Sequence, residues 1–397
     1  MEDQNNILFE TQTKRRKNIS KIISKFKFRF ERIKTTKNFN YIILLILKFI
    51  IIGIGLSLVY FVNYKKKFKS KEFNYKSNLH NFINNISGNI SNYSLIYEEF
   101  NENINNQYFQ LQYIFCKDSE SNLNKEFESK IKVANAIFEN KNFSLFVYNK
   151  LDTVSRYILF KHSWETNNTL KVLKALKYYS KKKNIENKEI YLIDIGANVG
   201  WYTFILGKYG YKIITFEASK INNYILYKNY CLNKDVNVTI INKGLDVEDK
   251  ICKLKIVNYN IGDGTIICEN RDKPIHDFNG KIFDNIELTK LSRYTKFLSQ
   301  KNLAFIKLDV EGAEGTVFEG GKEIISEYHV PFIMMEFEVR LLESHGTKVL
   351  EFLHFFENNG YKFSLIDFFS KEYISSSELI KMKKNKNLFV VYEKILD

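Results

Sequence analysis

Two hydrophobic rhythms divide this chain. Over its first hundred residues the apolar positions are scattered among Asn, Lys and Ser, apart from one long run, YIILLILKFIIIGIGLSLVYFV, from Tyr41 to Val62. Further on, short apolar runs alternate with stretches of helical spacing. The runs in LIDIGANVG (Leu192 to Gly200), Lys212 to Phe216, Val238 to Ile241, Leu303 to Leu308 and Pro331 to Glu336 predict strands. Ile221 to Leu232 and Val317 to Tyr328 predict helices between them. That alternation predicts an α/β fold, a Rossmann-like, doubly wound, mostly parallel sheet. ICKLKIV and TIIC flank a polar turn and predict a hairpin, and Glu126 to Glu139 has the spacing of a helix packed on the same domain.

The long run changes the picture at the amino terminus. Its 22 residues rise about 33 Å as a helix, enough to cross a hydrocarbon core. Lys48 is the one charge inside it, and its stem can snorkel toward the nearer interface. A cleaved signal peptide fits less well, because about forty residues precede the run and no small-residue cleavage site follows it. The expected organisation is therefore a basic tail (1–40), a single transmembrane anchor (41–62), an Asn- and Lys-rich stalk (63–129) and a catalytic domain (130–397). The first 76 residues hold 18 Lys and Arg against 5 Asp and Glu, so about 13 of the formal net charge of +15 lies there. Basicity thus belongs to the membrane flanks and gives no reason to expect a nucleic acid. About eleven basic residues precede the run and six follow it, which favours a type II protein with a lumenal domain in the Golgi or endoplasmic reticulum. Lys65, Lys66 and Lys67 argue for the reverse orientation.

Candidate chemistry lies at the strand ends. In a parallel sheet, ligands bind beyond the carboxyl ends of the strands, where strand-to-helix turns present free N–H groups. Asp194 and Gly196 are expected at that lip. A dinucleotide turn reads G-x-G-x-x-G, whereas this one reads G-A-N-V-G. With Asn198 in place of the second glycine, the turn suits a cationic ligand lacking a pyrophosphate. S-adenosylmethionine is such a ligand: Asp194 would help neutralise its charge, while Gly196 and Gly200 let the turn close around its methionine portion. Glu217, ending KIITFEAS, is placed to accept both ribose hydroxyl hydrogens. A second acidic strand end follows at KLDVEGAE, Lys307 to Glu314.

IDIGANVGWYTFILGKYGYKIITFE, followed by FIKLDVEGAEGTVFEGG, resembles the FkbM family of S-adenosylmethionine-dependent methyltransferases. DTVSRYILFKHSWE (Asp152 to Glu165) and PFIMMEFE extend the similarity over roughly Phe143 to Phe368. The resemblance implies a class I methyltransferase fold and O-methylation of a sugar or other hydroxyl. Two positions depart from the family pattern: Ala218 replaces its usual proline, and Ser292 stands where it usually has Asp, so Ser292 is left out of the site.

Methyl transfer requires an acceptor oxygen aligned with the methyl group and a base for its proton. Asp309, Glu336 and Glu311 are the candidates, with Asp309 and Glu336 favoured because they end their strands, whereas Glu338 lies further on. The competing reading of Asp309 or Glu311 is a helix N-cap. Lys307, within an apolar strand, should be buried against a carboxylate such as Glu336. These acids suit Mg²⁺ or Mn²⁺, but no histidine joins them and no metal is expected. Trp164 reads as core, Glu165 beside it as a residue that could fold over the ligand, and His345 as a bystander.

The cysteines, Cys116, Cys231, Cys252 and Cys268, lack zinc spacing. Cys252 and Cys268 read as buried thiols on opposite hairpin arms, able to bridge in an oxidising lumen. Asn85, Asn89, Asn92, Asn142, Asn167 and Asn237 open glycosylation triplets in an Asn-rich chain where several arise by composition alone. A catalytically inactive membrane glycoprotein using this fold as an interaction module is the alternative function. Its mark would be lost acids at the cleft, and Asp194, Glu217, Asp309 and Glu336 are all present.

Overall fold

A computed structural model describes residues 102–118, 129–149, 152–256, 260, 264–268, 281–382, 384 and 386–397. The basic tail, the apolar run Tyr41 to Val62 and most of the expected stalk lie outside these residues. The chain divides into two units, Met1–Asn78 and Leu79–Asp397, and every described residue belongs to the second. Among the described residues no helix is long and apolar enough to cross a membrane.

The second unit opens with helix α1 (Glu102–Asp118), hairpin β1 (Ile131–Phe138) and β2 (Lys141–Tyr148), and helices α2 (Thr153–Lys161) and α3 (Thr166–Lys183). An alternating stretch follows: β3 (Ile190–Ile195), α4 (Trp201–Gly207), β4 (Lys212–Phe216), α5 (Lys220–Leu232) and β5 (Val238–Ile241). Four strands form an inserted sheet: β6 (Gly244–Leu245), β7 (Lys250–Ile256), β8 (Gly264–Ile267) and β9 (Lys281–Thr289). The chain then runs through α6 (Ser292–Ser299), β10 (Asn302–Leu308), α7 (Glu314–Glu319), α8 (Glu323–Ser326) and β11 (Phe332–Phe337). It ends with α9 (Val339–Ser344), α10 (Val349–Asn358), β12 (Tyr361–Ser364), α11 (Ser376–Leu379) and β13 (Lys386–Tyr392).

The main sheet has the order β12-β13-β11-β10-β3-β4-β5. Strands β11, β10, β3, β4 and β5 are parallel, and β13 runs antiparallel to both of its neighbours. Mainly apolar runs such as IYLIDI and FIMMEF suit strands covered on both faces. From β3 the chain moves outward through β4 and β5, then returns to lay β10 on the other side of β3. The carboxyl ends of β3 and β10 therefore frame the topological switch point, where doubly wound sheets bind ligands.

Four expectations are corrected. Residues 131–138, expected within a helix over Glu126 to Glu139, form β1. Alternating burial and a two-residue turn, Glu139 and Asn140 both at positive φ, make it half of a hairpin. The helix expected over Val317 to Tyr328 is broken into α7 and α8 at Gly320, where a Cβ would lie 2.2 Å from the Asp246 carbonyl oxygen. The stalk expected through residue 129 contributes α1 to the folded unit. There the Gln112 side chain donates to Val238 O (2.9 Å) and accepts from the Ile240 N–H (2.8 Å), pairing the open edge of β5 as another strand would. Disulfides join Cys116 to Cys231 and Cys252 to Cys268, so the latter pair are bridged where thiols were expected. The predicted hairpin itself is β7 against β8.

Candidate functional site

A cavity of about 340 Å³ opens at the switch point, within the size range of small-molecule sites. Its lining includes Gly196, Asn198, Glu217, Asp309, Glu311 and Glu336. Six of the eight residues expected at the site thus share one space. Asp194 and Gly200 lie outside its lining.

The floor is the turn after β3. Gly196 has φ +75°, and a Cβ there would lie 1.9 Å from the Asp309 carbonyl oxygen, so only glycine lets the ends of β3 and β10 meet. Asn198 is also left-handed (φ 54°), and Gly200 starts α4. The Asn198 N–H donates to Glu217 Oε2 and the Ser219 N–H to Oε1, both at 2.8 Å. These amides aim a buried carboxylate at the cavity. Burial pushes the Glu217 carboxyl up to about 7, against the pull of the Ser219 and Asn198 amides.

Asp194 sits beneath this floor, not at the lip. The pleat of β3 turns its side chain toward α4, where the Thr203 hydroxyl donates to Oδ2 at 2.5 Å. In register beside it stand Thr215 on β4 and Lys307 on β10. Burial holds the Asp194 carboxyl above its ordinary value, with Lys307 and Thr203 opposing. Lys307 is buried as expected, but it pairs with Asp309 Oδ2 (3.1 Å) and lies 3.9 Å from Asp194 Oδ1, so the expected pairing with Glu336 is corrected. Its ammonium also donates to the Gly196 carbonyl at 3.3 Å. Burial lowers the Lys307 proton affinity, but the Asp309, Asp194 and Glu165 charges outweigh it and hold the side chain cationic.

Asp309, Glu311 and Glu336 converge at the far side, each half-buried, with one oxygen apiece within 4.8 Å of the others. Three negative groups so close can take a proton from an acceptor hydroxyl or hold a hard divalent cation. Neither Asp309 nor Glu311 caps α7. Ala313 occupies that place, Glu311 adopts a left-handed φ of 54°, and the buried Glu314 accepts the Val310 N–H at 3.1 Å. Glu338, Ser292 and His345 lie outside the lining; His345 is buried, with Nδ1 3.1 Å from the Leu341 carbonyl oxygen.

Residues 194–363 match the Methyltransferase FkbM domain. The matched segment starts at Asp194 near the end of β3 and closes at Phe363 on β12, so it contains the switch point and every carboxylate expected at the site. The chain also resembles solved methyltransferase structures at low similarity. The bifunctional kinase-methyltransferase WbdD is 9% identical, with a TM-score of 0.36, over 61% of this chain and 43% of that one. An S-adenosylmethionine-dependent methyltransferase from Agrobacterium tumefaciens is 7% identical (TM-score 0.33), over 66% of this chain and 70% of that one. The 16S rRNA N2 G1207 methyltransferase of T. thermophilus is 11% identical (TM-score 0.28), over 66% and 50%. The chain thus spans less than half of WbdD. No curated protein matches it.

Ahead of the matched segment, Trp164 and Glu165 also line the cavity. Trp164, expected in the core, is half-exposed and packs edge-on to Tyr157, with centroids 5.3 Å apart. Glu165 accepts from the Tyr202 hydroxyl at 2.7 Å and from the Asn387 side chain at 3.1 Å. Asn387 was invisible in the sequence. It reaches the cavity because β13 lies antiparallel to β11, with Asn387 opposite Glu336. The inserted sheet adds Leu254 and Ile266 as an apolar wall.

Proposed function

We propose that this FkbM domain is the catalytic part of a membrane-anchored, S-adenosylmethionine-dependent O-methyltransferase acting on a hydroxyl of a glycan or other small acceptor. The charge of the cavity carries this reading. Among the described residues, Glu165, Glu217, Asp309, Glu311 and Glu336 line it against a single ammonium, Lys307, which is already paired. Such a field favours a cation and repels a pyrophosphate, which supports a sulfonium cofactor over a dinucleotide.

The residues fit that cofactor. Glu217, oriented by two amides, would take the ribose hydroxyls, and the Gly196 to Gly200 turn would lie against the methionine portion. The cofactor supplies an electrophilic methyl group; the chain's part is alignment and proton removal. Asp309, Glu336 and Glu311 would take the hydroxyl proton, with the Lys307 ammonium holding the Asp309 side chain in place. Asp194 supports Lys307 and Thr203 from below. The apolar wall of Leu254 and Ile266 suits one face of a sugar ring.

The run Tyr41 to Val62 with its basic flanks supports anchoring, and the two disulfides support an oxidising compartment. The proposed arrangement is therefore single-pass and type II, with a lumenal domain in the Golgi or endoplasmic reticulum. Calorimetry of S-adenosylmethionine on the full-length protein in detergent tests the cofactor. Micromolar binding that is lost in Glu217→Ala supports it, and no binding by folded protein overturns it. Protease protection of the domain in sealed microsomes tests the orientation.

A further inference from the structure

We propose that Glu165, upstream of the FkbM domain, receives the amino-acid ammonium of the cofactor, a role that rests on the S-adenosylmethionine reading above. Its backbone is the first sign. Glu165 takes a left-handed conformation (φ 41°, ψ 39°), costly for a residue with a Cβ, at the N-cap position of α3. A carboxylate there ordinarily accepts the helix's own N–H groups, yet this one makes no capping hydrogen bond. It turns instead toward the cavity that it lines.

Its partners are the second sign. Oε2 accepts from the Tyr202 hydroxyl at 2.7 Å, and Oε1 from the side chains of Asn387 at 3.1 Å and Asn168 at 3.3 Å. All three donors are neutral, and together they fix the carboxylate from α4, β13 and α3. Tyr202 is a permanent donor, because burial and then the Glu165 charge drive its proton affinity well up. Among the described residues no cation lies within ion-pair distance of Glu165. Lys307, the cation whose field it feels, is held by Asp309 at 3.1 Å and lies 3.9 Å from Asp194. A fixed, cavity-lining carboxylate with neutral donors and no cation is an incomplete ion pair. A ligand ammonium completes it, with one charge-assisted hydrogen bond from a group already desolvated.

The test compares ligands with and without the amino-acid arm on the full-length protein in detergent micelles. Calorimetry is run with S-adenosylhomocysteine and with 5′-methylthioadenosine, which keeps the nucleoside and the thioether but lacks the arm. Glu165→Gln retains acceptor oxygen for Tyr202 while removing the charge. The expected result is at least tenfold weaker S-adenosylhomocysteine binding, with 5′-methylthioadenosine changed less than twofold. Unchanged binding of both ligands, or equal weakening of both as a purely structural brace would give, overturns the proposal. A measurement on the unaltered protein guards against misfolding of the variant: the des-amino analogue of S-adenosylhomocysteine should bind at least tenfold more weakly than the parent, and equal affinity overturns the proposal. Wild-type protein that binds none of these ligands overturns the cofactor reading itself, and the proposal with it.

Discussion

Lys307 Nζ lies 3.1 Å from Asp309 Oδ2, two residues further along the same chain. The pair links the covered interior of the sheet to the open cavity, because Lys307 is buried and the Asp309 side chain is 41% exposed. Below it, Asp194 stands opposite Lys307 in register. One ammonium therefore serves a carboxylate of the interior and a carboxylate of the site.

Lys307→Met should be far more damaging than its conservative shape suggests. Removing one member of a buried ionic group leaves the other charges without compensation, a loss of about 3–5 kcal/mol. Denaturant melts measure it directly. Adding Asp194→Asn to the Lys307→Met background should recover part of the loss, because the buried charge left behind is then removed. A double variant no more stable than the single one would show that Asp194 and Lys307 are not coupled.

Gly196→Ala tests the approach of the two strands. The added methyl would meet the Asp309 carbonyl oxygen at 1.9 Å, in a backbone region costly for alanine, so β3 and β10 must move apart at their ends. Cofactor binding should fall at least tenfold in calorimetry while the fold survives by circular dichroism. Wild-type affinity in this variant would mean that the turn is not part of the cofactor floor.

Glu217 sets the pH dependence. Its carboxyl is pushed up to about 7 by burial, and ribose hydroxyls need an acceptor in the ionised form. Cofactor affinity should therefore rise with pH up to about 7, by close to tenfold per unit, and level off above it. Proton release on binding should be greatest in the acid range, and Glu217→Gln should flatten the profile. Stability runs the other way: a raised folded value contributes stability that is full below about 4.5 and lost as pH rises through about 7. Calorimetry in buffers of different ionisation enthalpy checks the proton count.

The parallel part of the sheet was legible because each of its strands is a mainly apolar run. Lys212–Phe216 and Val238–Ile241 form with the expected bounds, and Glu217 and Asp309 follow directly from strand ends. What was not legible depends on register or on long-range contact. Lys307 faces Asp194 across β3, whereas its partner on β11 is Met334, two residues short of Glu336. Nothing local to Asn387 marks it for the cavity. Residues 131–138 carry apolar positions compatible with two periods, and the choice of strand is made by the turn at Glu139 and Asn140 and by pairing with β2. The docking of α1 rests on Gln112 finding an exposed strand edge more than a hundred residues away, which no window of sequence contains.

That docking gives the two disulfides different weights. Cys116–Cys231 closes a separation of 115 residues and ties α1 to α5, whereas Cys252–Cys268 closes 16 within one hairpin. Loop-closure entropy then predicts losses of about 5 kcal/mol for Cys116→Ser with Cys231→Ser, and about 3 kcal/mol for Cys252→Ser with Cys268→Ser. The site of the loss should differ as well. Without its tether α1 should leave the β5 edge more often, freeing the Ile240 N–H from Gln112, so hydrogen exchange there should quicken in the first variant only. Cysteine loss at β7 and β8 should instead loosen the wall formed by Leu254 and Ile266 and weaken the acceptor more than the cofactor. Equal destabilisation by both pairs, with Ile240 exchange unchanged, would separate α1 from the stability of the domain and restore it to the stalk.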